Sequence, residues 1–167
     1  GRVYILWGAR GSWPLELDVT SMSDFYGISI SDISLVGKLG SHVAILPDTN
    51  GDGSDELLIG KEYDRGIEED DLPSLIHSAN GNVFKVMGRS DWNAGYTISE
   101  VADDWFQGMY VDKPLGGEID VSGDFNGDGR QDMIFSNQYQ YRNRPSDFTS
   151  ESYVVYGYDQ LYPKVGL

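Results

Sequence analysis

Asp48-Thr49-Asn50-Gly51-Asp52-Gly53-Ser54-Asp55-Glu56 and Asp124-Phe125-Asn126-Gly127-Asp128-Gly129-Arg130-Gln131-Asp132 are two versions of one loop. Each sets an oxygen-bearing side chain at positions 1, 3, 5 and 9 and a glycine at position 6. Calcium is a hard cation that takes roughly six to eight oxygen ligands, many of them carboxylate. A short loop supplies them when alternate side chains converge on one centre. Asp48, Asn50, Asp52 and Glu56 are the candidate ligands of the first loop, and Asp124, Asn126, Asp128 and Asp132 those of the second. Ser54 and Arg130, at position 7, would contribute backbone carbonyls, which leaves their side chains free to vary. Gly53 and Gly129 suit a sharp turn where a side chain is costly. Neither loop contains cysteine or histidine, which argues against zinc. Magnesium prefers to keep several waters, so a loop this rich in protein oxygens suits calcium better. The alternative is a pair of Asp/Asn/Gly turns that bind no metal. Glu56 stands where the second loop has the shorter Asp132, and this makes the first loop the weaker candidate.

The flanking residues decide the fold class. An EF-hand needs a bidentate glutamate at position 12, at the entry to a helix. Position 12 here is Ile59 in one loop and Phe135 in the other. Leu57-Leu58-Ile59-Gly60 and Met133-Ile134-Phe135-Ser136 follow the loops, and Val43-Ala44-Ile45-Leu46 and Ile119-Asp120-Val121 precede them. Short apolar runs bounded by turn residues predict strands, so each loop joins two strands.

A second element also repeats. Gly1-Arg2-Val3-Tyr4-Ile5-Leu6-Trp7-Gly8 is matched by Gly81-Asn82-Val83-Phe84-Lys85-Val86-Met87-Gly88 and by Glu151-Ser152-Tyr153-Val154-Val155-Tyr156-Gly157. All three are β-branched and aromatic strands closed by glycine. An aromatic follows each closing glycine: Trp13, Trp92 and Tyr162. Recurrence at a fixed place predicts packing between units rather than ligand stacking. Within a unit the order is strand A, acidic loop, strand B, strand C and strand D. Four short strands per unit with turns between them predict an all-β chain of propeller blades, each a four-stranded antiparallel sheet. The expected divisions are a half blade at 1–38, a blade at 39–114 and an incomplete blade at 115–167.

On these residues the chain resembles the FG-GAP repeats of integrin α-subunit propellers. The matching segments are Gly40-Ser41-His42-Val43-Ala44 through Gly60, Gly81 to Gly88, Gly116 to Ser136 and Tyr153 to Gly157. The resemblance implies two calcium ions, one in each loop between the first two strands of a blade. It implies a role in adhesion or protein interaction at the cell surface or outside the cell. The family's Phe-Gly is Leu39-Gly40 and Leu115-Gly116 here, and the linkers 61–80 and 138–150 are long. About two blades cannot close a propeller of typically four to eight. The expected partners are therefore other blades of a longer chain or other copies of this one, besides a protein or glycan ligand.

Composition narrows the remaining classes. The chain has 167 residues, 40% of them hydrophobic, and a net charge of −15. It lacks the basic footprint of a nucleic-acid binder. Part of the acidity is one run, Glu68-Glu69-Asp70-Asp71, expected to be a solvated insertion. There are no cysteines, hence no disulfides and no thiol nucleophile. No apolar run is long enough for a membrane span. With calcium as the clamp in place of disulfides, an extracellular setting is expected. The only histidines are His42 and His77. Ser41-His42 could be imagined as a nucleophile and base, but a strand residue near a turn is the better reading. Asp103-Asp104 reads as a surface turn, with general acid–base chemistry as the alternative. No phosphate-binding loop, nucleophile elbow or metalloprotease motif is present, so a non-catalytic module is expected. Two alternatives are a carbohydrate-binding propeller and an accessory propeller domain of a larger secreted enzyme. Tyr139, Tyr141 and Tyr158, with Arg142 and Arg144 beside the first two, are the candidates for an exposed contact surface.

Overall fold

The computed structural model describes residues 1–8, 14, 16–21, 23, 26–33, 37–62, 80–93, 95–108, 114–137 and 150–157. Its strands are β1 (Arg2–Leu6), β2 (Gly27–Ser31), β3 (Lys38–Leu46), β4 (Glu56–Glu62), β5 (Asn82–Val86), β6 (Gly95–Thr97), β7 (Asp104–Gln107), β8 (Leu115–Gly123), β9 (Asp132–Asn137) and β10 (Ser152–Val155). One helical turn, α1 (Ile98–Val101), follows β6, and a 3-10 turn spans Val19–Ser21. The chain is all-β in class, as its short apolar runs bounded by turn residues predict.

The strands form three sheets, in the orders β1-β2-β6, β3-β4-β5-β7 and β10-β9-β8. The middle sheet is an antiparallel meander in which each strand pairs with the next in sequence: Leu46↔Glu56, Leu58↔Lys85 and Val83↔Phe106. The third sheet repeats its first three strands, with Ile119↔Phe135 and Ile134↔Val154. In both sheets the first strand is irregular just after its leucine, Leu39 or Leu115. In the first sheet β1 and β2 are antiparallel, whereas β6 joins β2 in parallel through Ile30↔Tyr96. Among the described residues the sheets close neither a barrel nor a ring.

Successive side chains on a strand point to opposite faces, and the middle sheet uses both. Ile59 and Val86 face the first sheet and pack with Val3, Ile28 and Ile30, while α1 adds Ile98 and Val101. Leu58, Leu46, Val83 and Phe106 face the third sheet and pack with Leu115, Ile119, Met133 and Phe135. The rings of Phe106 and Phe135 meet with centroids 4.9 Å apart. The spacing between sheets also recurs. The backbone of Gly1 abuts Leu39, and that of Gly81 abuts Leu115 through an isolated parallel bridge. Lys61 Nζ of the middle sheet pairs with Asp32 Oδ2, just beyond β2, at 2.7 Å.

Candidate metal centre

Both acidic loops are strand connections, β3 to β4 and β8 to β9, as the flanking apolar runs predict. Their hydrogen bonds correspond almost one for one. The position 1 carboxylate caps the turn. Asp48 Oδ1 accepts the amides of Asn50 (3.2 Å) and Gly51 (2.7 Å), and Oδ2 that of Gly53 (2.8 Å). Asp124 Oδ1 accepts the amides of Gly127 (2.7 Å) and Asp128 (3.1 Å), and Oδ2 that of Gly129 (2.8 Å). At position 3, Asn50 and Asn126 accept the amides of Asp52 and Asp128. At position 5, Asp52 and Asp128 accept those of Ser54 and Arg130. Glycine is required at positions 4 and 6, where φ lies between 76° and 88° in both loops. The Asn50 amide nitrogen also donates to Asp52 Oδ2 at 2.8 Å. This bond, followed by the Ser54 amide, holds the Asp52 carboxyl below the usual carboxylate range.

Position 9 differs from the rest because it is buried. Glu56 and Asp132 are each 1% exposed, while positions 1, 3 and 5 face solvent. Each position 9 carboxylate accepts the amide of position 2, Thr49 to Glu56 at 3.1 Å and Phe125 to Asp132 at 2.6 Å. Asp132 Oδ1 also accepts the amide of Gly157, which closes the strand after β10, at 2.8 Å. The closing glycines lie directly against the loops. A Cβ on Gly88 would sit 2.4 Å from the Asp55 carbonyl oxygen, and one on Gly157 would sit 2.6 Å from that of Gln131. Loop, position 9 acid and closing glycine are thus one clamp across the end of the sheet.

Every side-chain donor at positions 1, 3, 5 and 9 is an oxygen, which fits a hard cation and not a soft one. Ser54 and Arg130 lie between the position 5 and position 9 acids, and their amides are bound by Asp52 and Asp128. Among the described residues, however, no group of three or more His, Asp or Glu side chains is gathered as a metal-holding cluster. The exposed carboxylates are instead turned onto the backbone amides of their own loops.

The other candidates are accounted for by packing. Ser41 Oγ donates to the Gly116 carbonyl at 2.8 Å and accepts the Glu62 amide, tying the middle sheet to the third. His42 Nδ1 faces Glu118 Oε2 at 3.5 Å, so the two neighbours serve different partners. Asp103 is exposed and accepts the Met87 amide, whereas Asp104 is buried at the start of β7 rather than at a surface turn. Trp7 and Trp92 pack against the core between the first two sheets, and Trp92 also meets Tyr96 edge-on and Arg89 over its face. Trp13, Tyr162, His77, the 68–71 acidic run and the Tyr139–Arg144 and Tyr158 candidates lie outside the described residues.

Sequence reasoning missed Lys85. It is 2% exposed, and its Nζ donates to Thr49 Oγ1 at 2.8 Å. The available signal was a single lysine within the apolar run of β5, at the place where the matching run of β10 has Val154.

Comparison with family models, with curated proteins and with solved structures finds no match for the chain. No helix among the described residues is long and apolar enough to cross a membrane.

Proposed function

We propose that the chain is a calcium-stabilised, non-catalytic interaction module of the FG-GAP type, working in adhesion or protein binding outside the cell or at its surface. Its sheets are read as propeller blades, β1-β2 from one, β3-β4-β5-β7 as a second and β8-β9-β10 from a third. The observation that carries this reading is the repeated clamp. The same acidic loop recurs between the first two strands of two consecutive sheets, with a buried acid at position 9 each time. Asp48, Asn50, Asp52, Glu56 and the Ser54 carbonyl would hold one ion; Asp124, Asn126, Asp128, Asp132 and the Arg130 carbonyl would hold the other. The ion would supply positive charge among carboxylates that repel one another, and its role is structural.

Blade stacking also explains where apolar surface stays open. Ile119 and Val121 on β8 share one apolar cluster with Ala44 and Leu46 of β3. Their counterparts on β3, Val43 and Ile45, are 47% and 64% exposed. A further blade, from a longer chain or another copy, is the partner that covers such a face.

Thermal melting with calcium and with chelator tests the central claim. Calcium at about a hundred times its Kd adds about 2.7 kcal/mol. For a chain of 167 residues that is a rise of roughly 5–11 °C in Tm. An unchanged transition sinks the calcium reading.

A further inference from the structure

We propose that Lys85 is the built-in cation of the first loop. On this view the chain itself balances the charge of the first loop, and a divalent ion balances the second. The part concerning the ion rests on the calcium reading above; the part concerning Lys85 does not. Three observations lead here. First, a lysine is almost never fully buried unless it is paired, yet Lys85 is among the largest fully buried side chains of the chain. Its ammonium group reaches Thr49 at position 2 of the loop, at 2.8 Å. Burial pushes the Lys85 ammonium below its ordinary range, and the carboxylates of Glu56, Asp104 and Asp103 act against that to hold its charge. Second, Thr49 is also the residue whose amide binds Glu56, at 3.1 Å. Lysine, threonine and the position 9 acid are therefore one connected group beneath the loop.

Third, among the described residues no buried lysine stands in the equivalent place beneath the second loop. Registry across the sheets equates Lys85, opposite Leu58, with Val154, opposite Ile134. Val154 is 45% exposed, and Phe125, in the place of Thr49, is 64% exposed. Among the described residues Asp132 is held by two backbone amides, those of Phe125 and Gly157. Arg130, the basic residue of that loop, is exposed at position 7. The longer Glu56 is thus no defect. It extends the acid toward an interior ammonium, whereas the shorter Asp132 stays with the backbone.

Calorimetric titration with calcium chloride, using Asp48→Ala and Asp124→Ala to assign the heats, reads the asymmetry. The expected result is one strong site in the parent chain, lost in Asp124→Ala and kept in Asp48→Ala. Lys85→Met should strengthen binding at the first loop by about tenfold or more, since a neighbouring charge of the ion's own sign is gone. Lys85→Met can fail to fold, so the reciprocal change, Phe125→Thr with Val154→Lys, transplants the pair to the second loop. It should weaken calcium there by a similar factor. Two equal sites in the parent, or no change on transplanting the lysine, overturns the proposal while leaving the calcium reading intact. No heat in any variant overturns the calcium reading instead. The Lys85 assignment is then decided in chelator by a double-mutant cycle of Lys85→Met and Glu56→Gln. A lower Tm in the first variant that the second change restores supports it, and additive losses overturn it.

Discussion

Asp132→Ala distinguishes a structural clamp from a mere metal ligand. The side chain is 1% exposed, and its two oxygens accept the amides of Phe125 at 2.6 Å and Gly157 at 2.8 Å. A hydrogen bond to a charged group contributes about 1.5–3 kcal/mol net, and a stranded buried amide costs a similar amount. Losing both bonds should therefore destabilise the chain by about 4 kcal/mol. At this chain length that lowers Tm by roughly 8–16 °C. Melting followed by circular dichroism, in chelator, removes any contribution of an ion. Asp132→Asn, which keeps one acceptor, should lose about half as much. Asp120→Ala is the control, because Asp120 is exposed and bonds only its neighbours Val121 and Ser122. It should stay within about 0.5 kcal/mol of the parent. If Asp132→Ala loses no more than Asp120→Ala in chelator, the clamp argument is wrong.

Two further outcomes follow from the same geometry. Gly157→Ala and Gly88→Ala would each drive a Cβ to within 2.6 Å or 2.4 Å of a loop carbonyl oxygen; each should cost about 2–3 kcal/mol, read as a lower urea midpoint. Glu100 Oε2 accepts the Thr97 amide at 2.7 Å and its hydroxyl at 2.8 Å, which holds the Glu100 carboxyl below its ordinary range. Its contribution to stability is present above the unfolded-state pKa and lost as pH falls through the lower folded value. Carbon-detected titration of Glu100 should therefore give a lower midpoint in the parent than in Thr97→Ala.

The strands around the acidic loops were legible because two signals coincided: a loop with oxygen side chains at fixed positions and apolar runs on either side. The repeat then located β1, β5 and β10 by their closing glycines. What was not legible depended on contacts far apart in sequence. Nothing local in Gly95-Tyr96-Thr97 announces a strand that pairs in parallel with Ser29–Ser31. The turn after it did carry a start signal, Thr97 followed by Glu100 three residues later. Asp104 looked like a surface residue because an acid beside another acid usually is one. It is buried because β7 pairs it with Lys85. The Lys85 position was written in the sequence as an exception to an apolar strand, but its meaning required knowing which loop lay above it.

The motif itself carries less information about the ion than its spacing suggests. In both loops the side chains at positions 1, 3 and 5 satisfy the backbone amides of the turn, without any external group. Selection for a tight, fully hydrogen-bonded hairpin would place aspartate, asparagine and glycine at the same positions as selection for calcium. The two demands therefore overlap at positions 1 to 6 and separate at position 9. There a carboxylate goes into the protein interior, where a bare charge is costly and must be met by something. In the first loop it is the Thr49 amide and, as proposed above, the Lys85 ammonium; in the second it is two backbone amides. An ion adds most where burial is least compensated by the chain's own cations. On the proposal made above, the residue that decides which loop would depend on calcium lies outside the motif, on the third strand of the sheet.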